Sequence, residues 1–436
     1  MKQILLYVFA AVVLIGTMGC SRQEADLFDQ SAAERLHATE DALRDNLCSA
    51  RNGWELCYFP YPDAAGYAFL MKFEADGSVK IAAKNRISTK DNYMEETSLW
   101  DIDGTQGCIL TFNSYNTLFS VFSDPLSDGV GYSGDYEFVV LTSEDKDHIR
   151  LKGKKNQAYI SLNKLETGVI WKEYFDMIDD YNADIFDDND GVDMLFWDGA
   201  SQIKMTYEDG MFTYEKDGEE LSRGFIITPT GVHFYSGFLM ADSVTYAKDF
   251  KLTEDKQLLK TDDGKAFLSS SYTAADFFAH KFTTYSRWAY VAEDTDAKTK
   301  ADFEAIRQLG LAKGADINGV AYERTTTTDS RGAKTFAYAL YISYLVDGKV
   351  FGGRIVLNHK NANEQLTFSY KSHEDALKPL FARLAATEKD AADLFCDIFC
   401  GTYKPESYTG SALNMTQLLL QGENRTIHVI ADKMIY

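Results

Sequence analysis

The 436-residue chain is poor in the residue patterns that carry most enzyme chemistry, and poor in positive charge. Its seven histidines stand at 37, 148, 233, 280, 359, 373 and 428, and no two have the spacing that lets them reach one ion. A zinc hydrolase helix needs H-E-x-x-H, so that both imidazoles lie on one face. His373-Glu374 is followed by Asp375, Ala376 and Leu377, so the second ligand is missing. The chain has no G-x-S-x-G nucleophile elbow and no G-x-x-x-x-G-K-[ST] phosphate loop. Lys and Arg number 44 against 66 Asp and Glu, a net charge of -22, which argues against a nucleic-acid partner and against unassisted contact with anionic lipid. Beyond residue 15 no uncharged apolar run is long enough to cross a bilayer. Cysteine is scarce too. Apart from Cys20 there remain Cys48, Cys57, Cys108, Cys396 and Cys400, an odd and scattered set that does not suit a disulfide framework. Cys396 and Cys400 are four apart with no histidine beside them, and read as apolar packing on a helix face.

What is present begins at the N-terminus. Lys2, an apolar stretch over 4–15 and Thr17-Met18-Gly19-Cys20 read as a lipoprotein export signal, too short to span a bilayer. Cys20 is then the lipidation site, and its acyl chains would hold the protein on a membrane without a spanning helix. Thr17 stands where leucine is usual, which leaves a plain secretory signal cleaved near Gly19 as the alternative. The expected address is the outer membrane, lipid-anchored, on its surface or periplasmic face. Hydrophobic content of 45% and aromatic content of 14% exclude a disordered chain.

After a tether over 21–30, Ser31 and Glu34 have capping-box spacing, and Leu36, Leu43 and Leu47 form a helical stripe that stops at Asn52-Gly53. Trp54, Leu56 and Tyr58 alternate, and strands over 67–73 and 79–83 meet at Asp76-Gly77. Asp-Gly recurs at 103, 128, 190, 198, 209, 217, 263 and 347, and suits hairpin turns, so the pattern predicts an antiparallel meander with further strands at 109–112, 136–141, 148–152 and 159–162. A helix over 169–181 precedes strands at 194–197, 203–207, 211–216, 221–227, 232–235, 245–252 and 257–261. From about residue 270 helices are expected at 298–309, 372–386 and 389–399, and strands at 318–326, 335–345, 350–357, 365–370 and 427–430. The expected fold is mainly β or α+β. A signal peptide (1–20) and tether (21–30) precede helix-plus-meander modules over 31–165 and 166–270 and an α+β domain over 271–436. Such meanders can curl into lipocalin-like barrels or half-barrels, since closure removes exposed strand edges.

An acidic run, Asp184, Asp187, Asp188, Asn189, Asp190, Gly191 and Asp193, invites comparison with calcium loops. Asp188-x-Asp190-Gly191 fits part of that pattern and makes Asp188 and Asp190 weak calcium candidates. Phe186 holds the first ligand position and Trp197 the closing one, so a solvated loop is the favoured reading and no metal or cofactor is assigned. Trp100, Trp171, Trp197 and Trp288 are candidates as a class for stacking on a sugar or peptide, although aromatic residues more often fill β-cores.

Asn52-Gly53-Trp54-Glu55-Leu56, Tyr58, Pro60, then Gly66-Tyr67 through Leu70-Met71-Lys72-Phe73 to Asp76-Gly77-Ser78-Val79 make a distinctive run. Leu110-Thr111-Phe112-Asn113, Phe122-Ser123-Asp124-Pro125, Gly134-Asp135-Tyr136-Glu137-Phe138 and Leu151-Lys152-Gly153-Lys154-Lys155 extend it. Over residues 31–165 above all, the sequence resembles the Bacteroidetes lipoproteins grouped as domain of unknown function 4302. The resemblance carries no catalytic residues, and it implies an accessory role beside outer-membrane nutrient importers. The expectation is therefore a non-enzymatic lipoprotein that binds a glycan or peptide or docks on an importer. A surface hydrolase using paired carboxylates and a structural envelope protein stay open as alternatives.

Overall fold

The structure, a computed structural model, describes residues 31–433 except 105–106, 128–129, 142–144, 187–192, 209, 217, 281–285, 329–331, 333 and 409–410. Helix α1 (Ala32–Ser49) starts on the expected capping box. Ser31 Oγ accepts the Glu34 amide at 3.2 Å, and Glu34 Oε2 accepts the Ser31 amide at 2.8 Å. Its stripe deepens along the helix, from half-buried Leu36 and Leu43 to buried Leu47, so only its last turns are packed. Gly53 then takes φ +87°, open to glycine at little steric cost, and reverses the chain into the first strand.

That strand opens a meander: β1 (Trp54–Tyr58), β2 (Tyr67–Phe73), β3 (Ser78–Ala83), β4 (Met94–Asp103) and β5 (Ile109–Phe112). A small hairpin of β6 (Pro125–Ser127) and β7 (Val130–Gly131) interrupts it before β8 (Glu137–Val140), β9 (His148–Gly153) and β10 (Tyr159–Lys164). All but the small hairpin close antiparallel into an eight-stranded barrel, β1 pairing with both β2 and β10.

The plan repeats twice. Helix α2 (Trp171–Ile185) precedes β11 (Met194–Trp197), β12 (Gln202–Glu208), β13 (Met211–Lys216), β14 (Glu219–Thr228), β15 (Gly231–Leu239), β16 (Tyr246–Leu252), β17 (Leu259–Lys260) and β18 (Phe267–Ser270), again a closed barrel. Helix α3 (Ala274–His280), β19 (Ser286–Val291), α4 (Ala297–Leu311), β20 (Asp316–Thr328), β21 (Lys334–Val346), β22 (Lys349–Ala362) and β23 (Gln365–His373) begin the third unit. It continues through α5 (Lys378–Leu384), α6 (Glu388–Phe399), β24 (Gly401–Ser407), β25 (Gln417–Gln421) and β26 (Thr426–Lys433). This C-terminal part, helix-rich as its sequence texture predicts, also closes into an eight-stranded barrel.

An eight-stranded barrel has an interior that side chains can just fill, and here aromatics fill it. In the first barrel Tyr58, Phe69, Phe119, Phe122 and Phe138 pack with ring centroids 5.1–6.4 Å apart. Leu47 of α1 closes the end where β1 starts, and a 3-10 turn at Ser120–Phe122 brings Phe119 and Phe122 into the end where β1 finishes. The preceding helix serves each barrel alike, with Ile185 and Phe186 entering the second core and Phe277 and Phe278 the third. Two indoles fasten this contact: Trp54 Nε1 donates to the Leu47 carbonyl and Trp288 Nε1 to the Phe278 carbonyl, both at 2.9 Å.

The barrels also share parts. The loop between β24 and β25 places Leu413 in the second barrel's core, and Asn414 Nδ2 donates to the carbonyls of Ala183 at 2.6 Å and Phe186 at 2.8 Å. On the other side the Gly66 amide donates to the Phe225 carbonyl at 2.9 Å, and a Cβ on Gly224 would lie 1.7 Å from the Ala64 oxygen.

One local expectation differs from what forms, and several elements form where none was expected. Residues 372–386 are not one helix: β23 runs through His373, Glu374 continues the ladder to Arg354, and Pro379 helps set the later start of α5. Strand β4 hides behind Glu95 and Glu96, and its inward alternation shows only at Ser98, Trp100 and Ile102. Strand β24 pairs with β23 across the two intervening helices, which a periodicity argument does not see, and β25 forms a hairpin with β26 closed at Gln421 and Thr426.

Candidate functional site

Filled barrels leave the outer walls as places to bind, and one groove there gathers an aromatic ring with several charges. It has a volume of about 490 Å³ and is lined by Arg51, Asn52, Lys72, Glu74, Lys80, Tyr93, Glu95, Val169, Ile170, Trp171 and Lys172. That volume lies within the roughly 300–1,000 Å³ of small-molecule sites. Its floor is the outer face of β2 and β3, where Lys72 and Lys80 stand directly opposite each other. Like charges so placed repel, and here each is answered by a carboxylate, Glu74 at 2.9 Å from Lys72 and Glu95 against Lys80.

The far wall is the start of α2. Trp171 Nε1 donates to the Asn52 carbonyl at 2.7 Å, which ties the indole to the turn after α1. Gly53 makes room for it: a Cβ there would lie 3.0 Å from the ring and 2.5 Å from the Met71 oxygen. The Lys80 ammonium sits 5.5 Å above the indole, within cation–π range. Tyr93 donates to Glu95; burial, then that carboxylate, push the phenol up. Burial pushes Glu95 up in turn, but the hydrogen bonds from Lys80 and Tyr93 outweigh it and hold the carboxyl below its ordinary range. Arg51 makes no ion pair among the described residues and faces solvent. The groove is thus prearranged and polar, with a flat ring at one side.

The residues singled out by sequence fall elsewhere. Cys20, Asp188 and Asp190 lie outside the described residues. Of the acidic run, Asp184 is bound to Lys256 at 2.8 Å and Asp193 to Lys204 at 3.1 Å. Among the described residues no group of three or more His, Cys, Asp or Glu could hold a metal ion. Trp100 and Trp288 are buried, and Trp197 stacks on Phe267 with ring centroids 6.0 Å apart. His373 accepts or donates to Tyr370 and Glu388, both at 2.9 Å, stapling β23 to the start of α6. Cys396 is buried on α6, and Cys400 is that helix's C-cap. Buried Glu323 and neighbouring Glu374 share Arg354, and burial, opposed by the guanidinium, still pushes Glu323 up. Sequence reasoning named Trp171 only as one of a class and missed the lysines. The signal was available in the hairpin around Asp76-Gly77, which sets Lys72 across from Lys80.

No curated protein matches the sequence. Among solved structures, the Helicobacter pylori beta clamp bound to a DNA ligase peptide aligns at 10% identity over 92% of this chain and 98% of that one, with a TM-score of 0.12. The DNA polymerase sliding clamp of Pseudomonas aeruginosa aligns at 8% identity over the same shares, with a TM-score of 0.11. Likeness at that level carries no weight for fold or function. The family match is different in kind: it runs over residues 24–254, more than half of the chain, and takes in the first barrel, α2 and every residue of the groove. The chain belongs to the family described as Domain of unknown function (DUF4302).

Proposed function

We propose that the protein is an outer-membrane lipoprotein, anchored through Cys20, that captures a polar nutrient on the outer wall of its first barrel as a non-catalytic accessory to uptake. The observation that carries the binding half is the groove at Trp171, where a fixed indole and paired charges border a space of about 490 Å³. The anchoring half rests on the residue pattern from Lys2 to Cys20. The aromatic filling of the barrels supports an external site over a lumenal one.

Each half has its own test. Cys20→Ala should move the protein from the membrane to the soluble fraction, and a variant that stays with membranes after alkaline washing would refute the anchor. For binding, the full chain in detergent should be titrated calorimetrically against panels of glycans and peptides, with products followed in the same samples. Saturable binding that Trp171→Ala weakens at least roughly tenfold, about 1.4 kcal/mol, without turnover, is the expected result. Turnover, or binding indifferent to Trp171, would replace this reading.

A further inference from the structure

The charge of the groove runs against the charge of the molecule. The chain carries -22 overall, yet the groove lining holds four cations, Arg51, Lys72, Lys80 and Lys172, against two carboxylates, Glu74 and Glu95, with Asp176 beside it paired to Lys172 at 2.6 Å. The other grooves described do not share this excess. The 330 Å³ hollow on the second barrel sets Lys248 and Lys265 among four aspartates. The 400 Å³ groove between α4 and α6 balances Lys298 and Arg425 with Asp302 and Asp397. The 240 Å³ cleft beside α2 has Lys84 against Asp91 and Asp179.

We infer that the groove takes an anionic oligosaccharide, one bearing uronate or sulfate groups. This rests on the binding reading above and narrows it to a ligand class. On a chain of net negative charge, a groove lined by more cations than carboxylates favours anions locally. Lys72 and Lys80 can trade their present carboxylate partners for a ligand's, and among the described residues Arg51 has no ion pair to give up. The saccharide half follows from the walls. Peptides commonly bind by adding a strand to a free sheet edge or by laying an apolar face into a groove. Barrel closure leaves β2 and β3 paired on both sides, and the floor offers charges instead of an apolar trough. Beside those charges Trp171 presents an aromatic face, now covered by the Lys80 ammonium, on which a sugar ring could stack once that ammonium turns to an anion.

The test titrates the full chain in detergent with a trigalacturonate, its neutral galactose counterpart and a hexapeptide of Asp and Glu. The trigalacturonate should bind at least roughly tenfold more tightly than either, lose roughly tenfold with Lys80→Gln and with Trp171→Phe, and weaken as salt screens the groove. Circular dichroism unchanged from the native chain would show that each variant folds. Equal binding of acidic and neutral saccharides, still dependent on Trp171, would overturn the charge inference and leave the binding reading intact. Tighter binding of the acidic peptide would overturn the saccharide half. No binding of any probe, here or across the wider panels, would overturn both.

Discussion

At the scale of single residues, Gly53 decides more than its size suggests. Its φ of +87° lies where a side chain is strained, and a Cβ would meet the Met71 oxygen at 2.5 Å. Gly53→Ala must therefore distort the turn after α1 and push on the Trp171 indole. The expected cost is roughly 1–3 kcal/mol of stability, read by denaturant unfolding, together with a shift of tryptophan fluorescence and weaker ligand binding. Stability and fluorescence like the native chain's would show that the turn does not depend on glycine. The paired indole bonds of Trp54 and Trp288 are a different case. Each contributes about 1 kcal/mol net, but each also ties a helix end to a strand start, so its effect is on placement as much as on energy.

At the scale of elements, the loop between β24 and β25 belongs by sequence to the third barrel and by packing to the second. Leu413 is fully buried in the second core, and Asn414 holds the last turn of α2 by two hydrogen bonds. Leu413→Ala should cost roughly 2–5 kcal/mol, the range for a buried leucine that leaves a cavity. Hydrogen exchange locates the damage. Amides of α2, β11 and β12 should exchange faster although the substitution lies more than 200 residues away in sequence. Faster exchange confined to β24–β26 would mean that the loop merely rests on its neighbour.

At the scale of the whole molecule, burying tyrosine inside the barrels and under α2 sets an alkaline limit. Burial pushes the phenols of Tyr58, Tyr174 and Tyr322 well up, and those of Tyr67 and Tyr290 to about 12. An unfolded tyrosine releases its proton near pH 10, while these keep theirs in the folded chain. Between about pH 10 and 12 the unfolded state thus binds fewer protons, and stability falls as pH rises; below pH 10 this contribution is fully present. Lys248, pushed down by burial, works in the opposite sense up to its ordinary range, a single group against many buried phenols. Melting temperature should hold near neutral pH and drop steeply above pH ~10, with phenolate absorbance appearing together with unfolding. Phenolate that forms fully before unfolding would contradict the buried placement.

What the sequence by itself determined is local. The Ser31–Glu34 capping box, the leucine stripe of α1 and the antiparallel hairpins follow from contacts within a few residues, where backbone geometry leaves few choices. Of the Asp-Gly sites, the glycines at 77, 199, 210, 218, 264 and 348 take positive φ and Gly104 does not, but among the described aspartates of these pairs only Asp347 joins its glycine there, as a tight primed turn requires. The resemblance over residues 31–165 likewise pointed to the family. Only the tertiary structure decided that each meander closes, because β1 must find β10 about a hundred residues on, and alternation within a strand says which face is buried but not which strand is the neighbour. It also decided the groove. Lys72 and Lys80 meet across one hairpin, but Trp171 reaches them from another module, held by a hydrogen bond to Asn52 that no pattern in the sequence announces.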